Sequence, residues 1–338
     1  MRVMLTSIFC KSGLFTHVLD LASKLQSSNG NVLLAILKRT NSPRMSRSIS
    51  KRLSSITVIE YKNSNDLLII ANKYSADLIH AHSPLVFDHS LDVSLATSVP
   101  LVLTVHAVYP WERQFPLVLN HAKHIIAVGP AQIRCCMQHT MKTSLIQNGI
   151  DLTRFHPRSL KNLQVGPLYI LWFGRTHGTF SAGAAALDQA LTLLQREGKN
   201  IIASMVGIAQ GVKLAMTNYG WVDDPVWFLQ RNHLVFGHGR ALREAMACGN
   251  VGYLLGHGYA GMLRTDWFAE KDAIVDAFPQ YAFPLASVDM IKDDLNYIYC
   301  NRHLLPNLRR EARLIAEKHF DLQQMVARVR KVYELCLQ

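Results

Sequence analysis

The chain has 338 residues, of which 49% are apolar and 18% charged; this excludes a disordered or fibrous protein, and the length exceeds what one core usually supports, so two domains are expected. No apolar run reaches 18 residues, and the apolar opening "VMLTSIF" gives way to Lys11 with no small-residue cleavage site behind it, which predicts a cytoplasmic protein without a membrane span. The net charge of +12 is uneven: residues 1–160 carry 17 Lys and Arg against 8 Asp and Glu, whereas residues 161–338 carry 19 against 16.

Short apolar strands alternate with longer amphipathic stretches, the pattern of βα units around a parallel sheet. The strand "RVMLTSI" leads into the helix "HVLDLASKLQ", whose Val18, Leu21, Ala22 and Leu25 fall on one face, ending near "SNGN" before the strand "VLLAIL". Lys38 to Arg52 then holds six basic residues (Lys38, Arg39, Arg44, Arg47, Lys51 and Arg52) and no acid. Such a stretch attracts phosphate on a lipid head group, a nucleic acid or a substrate, or is simply a solvated, mobile loop. It has no aromatic residue for base stacking and no recognisable binding module around it, so no nucleic acid partner is expected.

Next come the strand "ITVIEY", the helix "NDLLIIANKY", the strands "LIHAH", "LVLTVH" and "HIIAVG", and a last strand "SLIQ" that stops at "NGID". These complete one doubly wound domain, assigned to residues 1–155. After the connector "RFHPRSLKNLQVGP" the pattern restarts over 156–317: "LYILWFG", the helix "AGAAALDQALTLLQREG", "IIASMVG", "HLVFG", a helix with Glu244, and "VGYLLG". The final stretch is helical with a break at Phe320 and Asp321, and its last piece, 318–338, is expected to pack back toward the first domain. The six cysteines form no CxxC pair and the fifteen histidines no HxxxH or HExxH pattern, so free thiols and no metal are expected.

Three strand-to-helix junctions carry glycine: Gly13, then Gly174 with Arg175 and Gly178, then Gly237 with Gly239. The unpaired amides at a helix start bind phosphate or sugar hydroxyls. None of the three is a GxGxxG or GxxxxGK[ST] sequence, which disfavours dinucleotide and P-loop chemistry, and singly each is also what plain turn geometry requires. The third junction opens "GRALREAMACGN", where the Glu244 carboxylate occupies a place on a sheet-docking helix that would favour an apolar side chain.

Taken together, "GLFTHVLDLASKL", "DLIHAHSP", "LVLTVH", "HIIAVG" and "LIQNGIDLTRFHP", followed by "LYILWFGR" and "LREAMACGN", resemble GT-B glycosyltransferases of family 4, the retaining, nucleotide-sugar-dependent type. The resemblance runs almost the full length and implies an α/β fold of two Rossmann-like domains facing each other across a cleft, with C-terminal helices. It implies that Glu244 accepts hydrogen bonds from the ribose of the nucleotide, that Arg175 neutralises the departing diphosphate, and that His106 lies near the donor sugar. Gly13, His238, Gly239 and Arg240 join the donor contacts, and the six basic residues from Lys38 to Arg52 face the acceptor or an anionic membrane.

The implied reaction moves a sugar, from UDP by default, to a hydroxyl of a glycan, lipid-linked or small-molecule acceptor. No cofactor or metal takes part, and peripheral contact with the inner face of the membrane is expected. Two departures stand out. Phe236 occupies the position of a second family glutamate, and Phe180 that of a lysine after the arginine; His177, Thr179, His238, Arg240 or the glycine amides are the candidates to replace that cation. They keep open a catalytically silent GT-B protein that binds a glycan or a partner, and, less directly, a nucleotide-sugar epimerase.

Overall fold

A computed structural model describes residues 1–28, 30–40, 43–158, 164–269 and 274–338. Asn29, residues 41 and 42 of the basic stretch and residues 159–163 of the expected connector lie outside the described residues. The chain divides into two compact units, Met1–Gly149 with Leu322–Gln338, and Ile150–Asp321.

In the first unit, β1 (Arg2–Ile8), α1 (Gly13–Ser27), β2 (Asn31–Leu37), α2 (Arg47–Leu53), β3 (Thr57–Tyr61), α3 (Ser64–Tyr74), β4 (Leu78–Ala81), α4 (Pro84–Thr97) and β5 (Leu101–Val105) follow in turn. Short helices α5 (Trp111–Gln114) and α6 (Pro116–His121) precede β6 (His124–Ala127), and α7 (Pro130–Arg134) precedes β7 (Thr143–Leu145). Among the described residues the strands form one parallel sheet in the order β3-β2-β1-β4-β5-β6-β7. The alternation of the pleat splits each apolar run between two cores: Val3 and Leu5 pack with α1 on one face, Met4 and Ile79 with α3 and α4 on the other.

Three sequence expectations change here. The span between "LIHAH" and "LVLTVH" is the helix α4, started by Ser83, whose hydroxyl accepts from the Leu85 amide. Its polar residues Asp88, Ser90, Asp92 and Ser94 interrupt the apolar stripe, which hides the helical period. The basic stretch is not all loop: α2 forms within it, with the Ser46 hydroxyl accepting from the Ile49 amide. Finally the chain passes from one unit to the other between Gly149 and Ile150 rather than at 155, and returns between Asp321 and Leu322 rather than at 317. Ile150 already belongs to the second unit because its amide donates to the Phe320 carbonyl, 2.6 Å away.

The second unit contains β8 (Leu168–Phe173), α8 (Phe180–Arg196), β9 (Ile201–Val206), β10 (Thr217–Asn218), α9 (Val226–Leu229), β11 (Leu234–Gly237), α10 (Gly239–Ala247), β12 (Val251–Leu255), β13 (Tyr259–Met262), α11 (Val288–Cys300) and α12 (Leu305–His319). Its sheet runs β10-β9-β8-β11-β12-β13, parallel except that β13 pairs antiparallel with β12. The last helix, α13 (Leu322–Cys336), returns to the first unit, where Met325, Val326, Val329 and Val332 join the α1 core. Among the described residues no helix is long and apolar enough to cross a membrane.

One buried group in the second unit gives the fold a pH dependence. His233 accepts a hydrogen bond at Nδ1 from the Tyr169 amide, and burial, helped by the Arg309 and Arg302 charges, lowers its pKa to about 3. An unfolded histidine titrates near 6.5, so between those values the unfolded state binds the extra proton and stability is lost as pH falls below about 6.5. Denaturant unfolding of His233→Gln against wild type at pH 7.5 and pH 5 should show the variant losing about 2 kcal/mol less over that interval. Equal losses would mean that His233 is not held neutral by the fold.

Candidate nucleotide-sugar site

In the second unit, β8 and β11 are neighbours with Gly237 opposite Phe173. Gly174 and Arg175 therefore leave one strand, and His238 and Gly239 the next, at the same carboxyl edge of the sheet, where open α/β sheets bind ligands. Gly239 begins α10 with φ +61, and its amide donates to the Val275 carbonyl at 2.5 Å. A Cβ added there would lie 2.7 Å from the Asp276 carboxylate, which would have to shift, and φ +61 itself favours glycine at this turn into the helix.

Glu244 lies one turn into α10 and is 5% exposed. Arg240 Nε donates to its Oε1 at 2.7 Å, and the two side chains are 8% and 7% exposed. This i,i+4 pair explains how a carboxylate is kept on a helix packed against β11 and β12: its charge is matched before any ligand arrives. Small neighbours Ala245 and Ala247 are fully buried, which lets the helix lie close to the sheet. Arg240, expected among the donor contacts, is thus also the residue that holds Glu244.

His238, expected among the donor contacts, lies among aromatic rings. Its ring stacks on Phe180 at 4.2 Å and meets Phe278 edge-on at 5.6 Å, while burial lowers its pKa. Phe180, which stands at the position of the family lysine, is thereby the stacking partner of the His238 ring. Phe236 is fully buried and stacked on Tyr253 at 4.6 Å, so the position of the second family glutamate belongs to the core in this chain. Arg175 is half-buried beside Gly174, whose φ is +146. Asp276 and Phe278 escaped sequence reasoning because they lie in an irregular segment with no periodicity, and only the fold brings that segment to the start of α10.

In the first unit, Gly13 is exposed at the start of α1, and the same helix buries His17 one turn later. His106 follows β5 and His82 follows β4; His82 Nδ1 and His106 Nε2 are 3.3 Å apart, and the His17 and His106 ring centroids are 4.8 Å apart. Burial holds both His82 and His106 well below the usual imidazole pKa, with the neighbouring histidines adding to the shift. Behind them His80 is fixed at both nitrogens, by the Tyr333 hydroxyl at 2.6 Å and the Thr104 hydroxyl at 2.7 Å. The expected His106 is therefore one member of a histidine cluster with His82, which the sequence places at the end of "LIHAH" as a structural or cleft-shaping group, and with His17, which the sequence did not single out.

The basic stretch divides. Arg52 is paired with the buried Asp20, and Lys38 with Glu60 at 3.2 Å, the side chains of that second pair being 58% and 54% exposed. Arg39, Arg44, Arg47 and Lys51 are exposed.

Residues 11–154 match the family model described as Glycosyltransferase Family 4. A search of the curated proteins finds no match to the chain. Among solved structures, the chain is similar to Anabaena Alr3699/HepE in complex with UDP and glucose, at 16% identity, TM-score 0.74 and 99% coverage of both chains. It is also similar to a glycosyltransferase from Rickettsia africae, at 15% identity, TM-score 0.75, covering 100% of this chain and 98% of that one. S. aureus TarM, crystallised with UDP, matches at 8% identity and TM-score 0.71 over 100% of both chains. At such identities the structural likeness speaks for the fold, while the family match speaks for residues 11–154. The chain accordingly has the GT-B fold of two Rossmann-like units, and its residues 11–154 form a segment that matches Glycosyltransferase Family 4.

Proposed function

We propose that the protein transfers a sugar with retention from a nucleoside diphosphate sugar, UDP-linked by default, to a hydroxyl of a glycan, lipid-linked or small-molecule acceptor, without a metal ion in the reaction. The observation that carries this reading is the pair of opposite charges set at one edge of the second sheet. The Glu244 carboxylate, held by Arg240, lies on α10, and Arg175 follows Gly174 at the end of the neighbouring strand β8. A carboxylate suits the two hydroxyl donors of a ribose, and a guanidinium suits a diphosphate whose charge grows as the glycosidic bond breaks. UDP in the Anabaena and S. aureus structures supports the choice of base.

Calorimetric titration tests the assignment. UDP should bind more tightly than uridine, and Arg175→Ala should weaken UDP by about 10- to 150-fold, the equivalent of a charge-assisted hydrogen bond of ~1.5–3 kcal/mol, while leaving uridine unchanged. Equal affinity for UDP and uridine, or an unchanged UDP affinity in the variant, contradicts the role of Arg175. UDP release from a UDP-sugar, with the anomeric configuration of the product read by NMR, tests transfer and retention; binding without turnover across common donors and acceptors favours the silent GT-B reading.

The exposed Arg39, Arg44, Arg47 and Lys51 suit an acceptor that is anionic or held in an anionic membrane, at about 1 kcal/mol per basic residue near such a surface. Binding to vesicles containing anionic lipid should fall with added salt and be lost in an Arg44→Glu, Arg47→Glu, Lys51→Glu variant. Binding insensitive to lipid charge removes this part of the reading.

A further inference from the structure

We propose that His17, His82 and His106 form a binding site for one divalent transition-metal ion of the zinc class in the first unit. The neighbouring strands β4 and β5 deliver His82 and His106 from their carboxyl ends, and α1, which follows the adjacent strand β1, turns His17 toward them. One nitrogen from each ring lies within 4.8 Å of the others. The ring centroids are 4.8, 5.5 and 5.6 Å apart. With zinc–nitrogen bonds of about 2.0–2.1 Å in tetrahedral array, imidazole centroids lie about 5.2 Å from one another. The rings are thus already spaced as three ligands of one ion.

The chemistry of the pocket fits. Neutral imidazole is the ligand form of histidine, and three rings meet here. His82 Nε2 is buried with no hydrogen-bond partner, an atom whose burial is otherwise uncompensated. His80, packed against His82 at a centroid distance of 4.0 Å, has both nitrogens engaged by Tyr333 and Thr104 and therefore backs the pocket and is not a ligand. His106 is half-buried and forms the open side. A set of three imidazoles selects Zn²⁺, Co²⁺, Ni²⁺ or Cu²⁺ over Mg²⁺ and Ca²⁺, and leaves a fourth position for water or a ligand oxygen. No HxxxH pattern announces the site, because its ligands come from three separate elements. It stands independently of the transfer reading, although an ion bound there engages the same His106 ring.

Cobalt is the probe. The full chain, stripped with a chelator and dialysed, is titrated with Co²⁺ and followed by its visible absorption, then challenged with Zn²⁺ and Mg²⁺. One equivalent of Co²⁺ giving the intense bands of a four- or five-coordinate ion, displaced by Zn²⁺ and not by Mg²⁺, is expected, with His17→Gln and His106→Gln each weakening binding at least about tenfold. The control His177→Gln, at an exposed position, should bind as wild type. Absence of stoichiometric binding, or binding that is the same in His106→Gln as in wild type, overturns the proposal. Should His17→Gln not fold by circular dichroism, the half-exposed His106→Gln decides the question alone.

Discussion

Replacing Glu244 by alanine should abolish the stabilisation that UDP gives the wild-type protein in a thermal-shift experiment, and should also lower the stability of the ligand-free protein. The two effects have different origins. The first is loss of the carboxylate that accepts from the ribose, worth ~1.5–3 kcal/mol per charge-assisted hydrogen bond. The second is the Arg240 guanidinium left buried without Glu244, its side chain 8% exposed; breaking such a pair from one side costs about 3–5 kcal/mol. The variants separate them. Arg240→Leu combined with Glu244→Leu removes both charges and should recover most of the lost stability while remaining unable to respond to UDP. Glu244→Gln should keep the fold and lose most of the response. If Glu244→Ala binds UDP as wild type does, the carboxylate is only structural; if the double variant is no more stable than Glu244→Ala, the ion pair is not what the single change breaks.

Gly207→Ala should be the most damaging glycine substitution near the site. Gly207 follows β9 with φ +140, and a Cβ there would lie 2.0 Å from the Gly174 carbonyl oxygen, inside the junction that presents Arg175. Neither the turn nor the carbonyl can yield, since Gly207 donates to the Gly220 carbonyl at 2.8 Å and Gly174 to that of Val206 at 3.0 Å. A loss of about 4 kcal/mol is expected, lowering the melting temperature by about 8–16 °C for a unit of this size. The surviving folded protein should also bind UDP more weakly, because Arg175 is displaced. Gly211→Ala is the control: φ is +75 but the added Cβ meets nothing within 4 Å, so only backbone strain of about 1 kcal/mol applies. Similar losses for the two variants would show that contact with Gly174 is not the cause.

The strands and the longer amphipathic helices were legible in the sequence because parallel strands read as unbroken apolar runs and helices as 3.6-residue stripes. "RVMLTSI" is β1 residue for residue, and the break at Phe320 and Asp321 separates α12 from α13. What escaped was structure without an apolar stripe, or structure whose cause is tertiary. α4 is polar along part of its length, α2 is held by its Ser46 cap within a basic stretch, and the boundary at Gly149 is set by a hydrogen bond from Ile150 to a residue far along the chain. The site shows the same division. Glu244 stands in the run "EAMACG" and Arg175 directly after Gly174, so sequence could name them. The Arg240 pairing, the Phe180–His238–Phe278 stack and the convergence of His17 with His82 and His106 depend on which loops and strand ends meet. Composition alone could not show that Lys38 and Arg52 meet Glu60 and Asp20 from other elements.

The most direct test is a crystal structure of the protein with UDP. The ribose hydroxyls should lie within hydrogen-bonding distance of the Glu244 carboxylate, with the diphosphate against the Arg175 guanidinium and the start of α10. A nucleotide ordered elsewhere, with Glu244 still closed on Arg240 and Arg175 turned from the phosphates, would contradict the account.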